Sequence, residues 1–98
     1  LREHPLPTFT LSVKTGEKSE IVVMRVRRWG REAVCAQSRR GDGDWEDLGL
    51  CFRTVFEDAR PLLVPGQPEV REYRFRWWEN GHPAGDWTEV GKITVSPV

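Results

Sequence analysis

The sequence predicts an all-β domain, a seven-stranded antiparallel sandwich of two sheets. Short segments with alternating apolar and polar residues recur along the chain, as strands that bury one face require. Turn signals rich in Gly, Pro, Asn and Asp separate these segments at intervals of about 8–12 residues. No segment carries the 3.6-residue periodicity of an amphipathic helix. A small closed barrel is the alternative architecture for such a pattern.

Residues 1–7, with Pro5 and Pro7, read as an extended linker, and the domain is expected over residues 8–98. Thr8 to Lys14 alternates cleanly, placing Phe9, Leu11 and Val13 on one face and hydroxyls opposite. After the turn Thr15-Gly16-Glu17-Lys18, residues Ser19 to Arg28 read as a second strand with Val22, Met24 and Val26 on one face and Arg25 and Arg27 on the other. Trp29-Gly30-Arg31 interrupts the pattern. It resumes over Glu32 to Arg40, with Val34 and Ala36 inward and Cys35, Gln37 and Arg39 outward. Gly41-Asp42-Gly43-Asp44 is a strong turn signal, because Gly tolerates positive φ and Asp caps its own turn, so Trp45 to Leu50 returns as a hairpin partner. A short strand around Arg53 to Asp58 centres on Phe56.

Arg60 to Trp78 organises the rest. Three prolines and a glycine make its first half a stiff corner, and from Val70 to Glu79 the residues alternate as in a core-making strand. Tyr73, Phe75 and Trp77 share one face, and Glu72, Arg74, Arg76 and Trp78 the other. Residues 80–86 read as a loop, and Trp87 to Ser96 closes the domain with Val90, Ile93 and Val95.

A chain of 98 residues supports one domain and one modest core. Fifteen basic residues balance fifteen acidic ones, so bulk charge draws the molecule to neither nucleic acid nor membrane. No run approaches the roughly 18 apolar residues of a membrane-spanning helix, and no membrane insertion is expected. The chain starts at Leu1 rather than Met, so we expect a piece of a longer protein. Cys35 and Cys51 permit one bridge, worth about 3 kcal/mol if formed, or serve as two small unpaired residues. The compartment stays open.

The proline-containing corner before a Tyr (Leu63-Val64-Pro65, then Tyr73), the alternating Tyr73-Arg74-Phe75-Arg76-Trp77 strand and Trp87-Thr88 opening the last strand resemble a fibronectin type III domain. That family is an immunoglobulin-like sandwich in which the Tyr hydroxyl bonds the backbone of the preceding corner. The resemblance implies this role for Tyr73, with Pro65 as the structural corner. The chain departs from the family in having Val26 where a Trp is usual in the second strand, and in a longer Pro-to-Tyr spacing. The segment from Arg60 to Tyr73 also resembles the C-terminal fibronectin-like domain of a group of uncharacterised bacterial proteins. Neither resemblance implies an activity.

Arg40-Gly41-Asp42 spells an integrin-binding tripeptide, but Gly-Asp is also what a tight turn selects. Read as a calcium loop, the run from Asp42 puts Asp47 where Gly is needed and Arg53 where Glu is needed. His4, His82, Cys35 and Cys51 lack the paired spacings of a zinc site, and no cofactor is expected. His82 and Asp86 share a loop without a nucleophile positioned for them, so catalysis has no candidate residues. The basic run Arg25, Arg27, Arg28 and Arg31 raises nucleic acid, although Glu20 and Glu32 flank it and a solvated strand face accounts for it.

Arg74, Arg76, Trp78 and Trp87 form the most informative surface set. Guanidinium groups stack on indoles, and Trp and Arg are enriched at binding hot spots, so this face is either a self-stabilising ladder or a docking surface. The expected function is a non-catalytic interaction or spacer module, whose partner is another protein or a domain of the same chain. A carbohydrate-binding module using Trp78, Trp45 or Trp29 is the alternative. A monomer or a weak dimer is expected, since open sheet edges can pair.

Overall fold

The structure, a computed structural model, describes residues 6–98; the first five residues of the expected linker lie outside the described residues. The chain is all-β and antiparallel, with the strands β1 (Thr8–Lys14), β2 (Ile21–Arg27), β3 (Ala33–Arg40), β4 (Glu46–Cys51), β5 (Val55–Asp58), β6 (Glu69–Glu79), β7 (His82–Ala84) and β8 (Gly91–Val95). One sheet has the order β1-β2-β5. The other runs β4-β3-β6, and the long β6 carries β8 along its first half and β7 along its second. The two sheets enclose a shared core in a sandwich-like arrangement. Val22, Met24 and Val26 of one sheet meet Val34, Ala36, Tyr73, Phe75, Trp77 and Val95 of the other, all of them buried. Phe9 closes the inter-sheet space with its ring 4.5 Å from that of Phe75.

The expected inward residues of β2, β3 and β6 are buried as their alternation requires. Other expectations change. The described residues form eight strands rather than seven, because His82–Ala84, read as loop, continues the β6 hairpin by pairing with Trp77, Trp78 and Glu79. The last strand is Gly91–Val95 rather than Trp87 to Ser96. In the gap between β7 and β8, Thr88 supplies the missing pairing: its N–H donates to the Phe75 carbonyl, and its side-chain oxygen accepts from the Phe75 N–H at 3.1 Å. A side chain thus completes what a ladder would otherwise provide. Val13, which shares the face of Phe9 and Leu11, and Val90, just before β8, are exposed.

A bulge resets the phase of β4. Ala36 pairs with Gly49 and Gln37 with Asp47, which leaves Leu48 extra, and Gly49 has a φ of 97°. The insertion lets Asp47 and Leu50 both face outward while Leu48 and Cys51 both face the core. Cys51 lies opposite Val34, so it shares that residue's inward face, whereas Cys35 points outward. The two thiols lie on opposite faces of one sheet and are unpaired. Cys35 donates to the Arg76 carbonyl and Cys51 to that of Arg53.

Candidate functional site: the outer face of the larger sheet

Alternation along β6 directs Arg74 and Arg76 away from the core, and the β3–β4 hairpin and the segment before β8 bring aromatic rings beside them. The Arg74 guanidinium lies 4.1 Å from the Trp45 ring centroid and 4.5 Å from that of Trp87. Arg39 approaches Trp45 at 4.8 Å and Arg76 approaches Trp87 at 5.7 Å. The result is an alternating series: Arg39, Trp45, Arg74, Trp87, Arg76. In-plane partners complete it. Gln37, opposite Arg74 in the β3–β6 register, accepts from Arg74 Nε and Nη2 at 2.9 and 2.6 Å and donates to Asp47 at 2.8 Å. Arg76 Nε donates to the Gly85 carbonyl at 2.6 Å, and Arg39 pairs with Glu72 at 2.7 Å. That pairing lowers the Glu72 pKa and raises that of Arg39.

Three of the four residues expected on this face, Arg74, Arg76 and Trp87, therefore join one stack. Trp78 does not. It stands beside the stack and lines a groove of about 340 Å³ with Cys35, Gly49, Leu50, Pro83 and Trp87. The groove exists because the bulge turns Leu50 outward and places a residue without a side chain at Gly49. Burial pushes the Cys35 thiol up, so it is a neutral wall of the groove. Sequence reasoning missed Arg39 and Gln37 as members of this face. Their outward parity on β3 was the available signal, but which residues of β6 they would meet depended on register.

The expected corner is built differently. Tyr73 donates its hydroxyl hydrogen bond to the Asp58 carboxylate at 2.6 Å, not to corner backbone. Asp58 also accepts from Arg60 Nε and Nη2 at 2.8 Å each and faces Arg71 Nη1 at 3.3 Å. Arg71 is 0% exposed and pairs with Glu69 at 2.7 Å and with the Arg60 carbonyl at 2.9 Å. A buried guanidinium is held only where carboxylates and carbonyls surround it. Burial alone would raise the Asp58 pKa, but the bonds from Arg60 and Tyr73 outweigh it and hold the carboxyl at about 2. Burial and the Asp58 carboxylate push the Tyr73 phenol up. Pro65 is exposed and occupies the second position of the turn Val64-Pro65-Gly66-Gln67. That turn is closed by Gln67 N–H to the Val64 carbonyl at 3.1 Å, with Gly66 at a φ of 82°. Leu62, not Pro65, anchors the corner in the core. Arg71 was legible as a charge at an inward position of β6, since it shares the parity of Tyr73.

The Arg40-Gly41-Asp42 tripeptide does not present its arginine freely. Arg40 Nη1 donates to the Pro61 carbonyl at 3.2 Å and Arg40 Nη2 lies 3.6 Å from Glu46.

Comparison with family models, with curated proteins and with solved structures found no match to this chain.

Proposed function

We propose that the chain is a fibronectin type III-like, non-catalytic interaction module that docks a protein partner through the groove between Trp78, Leu50 and Pro83. The strand order supports the fold reading: the third strand crosses to the second sheet, the fourth pairs with it, the fifth returns to the first sheet, and the sixth and last pair across the second. The observation that carries the functional reading is the occupancy of the Trp rings. Guanidinium groups already lie against Trp45 and Trp87, so these indoles and Arg74 satisfy one another and serve as a rigid wall. Trp78 is left to offer its ring to a partner, in a groove whose walls are largely apolar. That chemistry suits an apolar side chain of an extended segment, an anchor in a small pocket with a stiff surround.

The carbohydrate reading loses two of its three rings to arginine, since Arg27 also lies 4.4 Å from the Trp29 centroid. It rests on Trp78 alone. The test is capture from native extract by wild type beside Trp78→Ala, Leu50→Ala and Arg74→Ala, each confirmed folded, followed by binary binding with the purified partner. A protein retained by wild type and lost with Trp78→Ala and Leu50→Ala is expected. Retardation by soluble polysaccharides that Trp78→Ala abolishes would transfer the site to sugars, and capture unchanged in both groove variants would remove the groove from any role.

A further inference from the structure

One end of the sandwich is basic, and the β3–β4 hairpin at the other end presents two exposed aspartates. At one end lie the β2–β3 turn, residues 52–54 between β4 and β5, and the β6–β7 turn. This end holds Arg25, Arg27, Arg28, Arg31 and Arg53 against two carboxylates, Glu32 and Glu79. Both carboxylates are already engaged: Glu79 pairs with Arg31 at 2.7 Å, and Glu32 accepts from the Asn80 N–H at 3.3 Å. Among the described residues no ion pair engages Arg25, Arg27, Arg28 or Arg53. The cross-strand neighbours of Arg25 are Thr10 and Val55, and that of Arg27 is Thr8, so the sheet supplies them no counter-charge. Two large rings are exposed at the same end, Phe52 at 55% and Trp29 at 54%, the latter with the Arg27 guanidinium 4.4 Å from its centroid. Trp29 is held outward by a left-handed backbone with a φ of 53°.

The opposite end, reached along the eight residues of β3, or about 26 Å, combines the β1–β2 turn, the β5–β6 corner and the hairpin Gly41-Asp42-Gly43-Asp44, and of these the hairpin reaches out with acidic residues at its tip. Asp42 and Asp44 are exposed and take part in no ion pair among the described residues. They are two positions apart in the chain, as Arg25 and Arg27 are. Two strand positions separate Arg25 from Arg27 by about 6.7 Å, so both guanidinium groups stand on one face of β2.

We infer that copies of this domain associate head to tail, the Arg25/Arg27 end of one receiving the Asp42/Asp44 hairpin of the next, with Trp29 and Phe52 covered in the contact. The occupant is a second copy because the exposed Asp42 and Asp44 of the same molecule supply counter-charge to its basic end, and its net charge of zero gives no general attraction to a polyanion. The inference is independent of the Trp78 groove. A head-to-tail contact between unlike surfaces is not two-fold symmetric, so the assembly extends beyond two copies as an open chain or a ring, and exposed charge makes it salt-sensitive.

Sedimentation equilibrium of the full chain tests this from about 10 μM to about 1 mM at low and high ionic strength. The weight-average mass is expected to rise with concentration without a plateau at two copies, and to fall at high salt. R25E/R27E and D42K/D44K are each expected to remain monomeric. An equimolar mixture of the two is expected to associate again, because one variant then has two acidic ends and the other two basic ends. Single variants R25E and D44K replace the doubles if either fails to fold. Wild type that stays monomeric at about 1 mM in low salt, a plateau at two copies, or a mixture that fails to reassociate would overturn the inference. So would a monomeric wild type that binds a labelled single-stranded oligonucleotide and loses it in R25E/R27E, which would assign the basic end to nucleic acid.

Discussion

Tyr73 Oη donates to Asp58 Oδ2 across 2.6 Å inside the domain, tying the middle of β6 to the end of β5. The two strands belong to different sheets, so this bond is an inter-sheet tie made at a buried carboxylate. Tyr73→Phe is expected to destabilise the fold by about 1–2 kcal/mol, since Asp58 loses one of its donors without gaining water. Chemical denaturation of both proteins measures it, and an unchanged midpoint would show that the tie contributes nothing.

Asp58 sets an acid limit on the fold. Its folded pKa of about 2 lies below the ordinary 3.8, so the ionised form favours the native state. That contribution is fully present above the unfolded value and is lost as pH falls from about 4 through about 2, and it amounts to about 2 kcal/mol. Asp58→Asn should lower stability at neutral pH and flatten its decline across this window. Thermal midpoints between pH 2 and 6 for both proteins provide the comparison.

Arg74 holds the outer face by lying between two indoles with Gln37 in its plane. Arg74→Ala should cost about 1–2 kcal/mol, and Arg74→Lys should recover little of it, because an ammonium lacks the flat fork that stacks and bonds together. A double-mutant cycle with Trp45→Ala is expected to give a coupling energy well above zero. Full additivity would mean that the rings and the guanidinium are neighbours only.

Gly91 is where β8 passes under β1. A Cβ there would lie 2.7 Å from Phe9 Cε2 and 3.1 Å from Leu11 Cδ1, and Phe9 is itself held against Phe75. Gly91→Ala is therefore expected to destabilise by about 1–3 kcal/mol through overcrowding at the join between the sheets. Denaturant midpoints check this, and tolerance of the methyl group would show that Phe9 can move aside freely.

Much of the architecture is legible residue by residue. Tyr73, Phe75 and Trp77 are inward because a strand alternates, and the same count places Arg74 and Arg76 outward without knowledge of any neighbour. The Gly41 to Asp44 turn is equally local. The strand at His82–Ala84 was hidden by the Gly, Pro and Asp around it, which signal a loop even where a hairpin extends through them. The role of Thr88 was hidden too, since a hydroxyl that completes a ladder looks in sequence like any other strand hydroxyl.

Local alternation establishes that this chain is all-β, where most strands run and which side chains of the central strands share a face, because these follow from a period of two within each strand. That Tyr73 meets Asp58, that Arg74 sits between Trp45 and Trp87, and that the bulge at Gly49 turns Leu50 out to make a groove beside Trp78 emerges only in the folded chain. These depend on cross-strand register and on which strands pair. Register is set by contacts between residues far apart in the chain, and no local pattern encodes it.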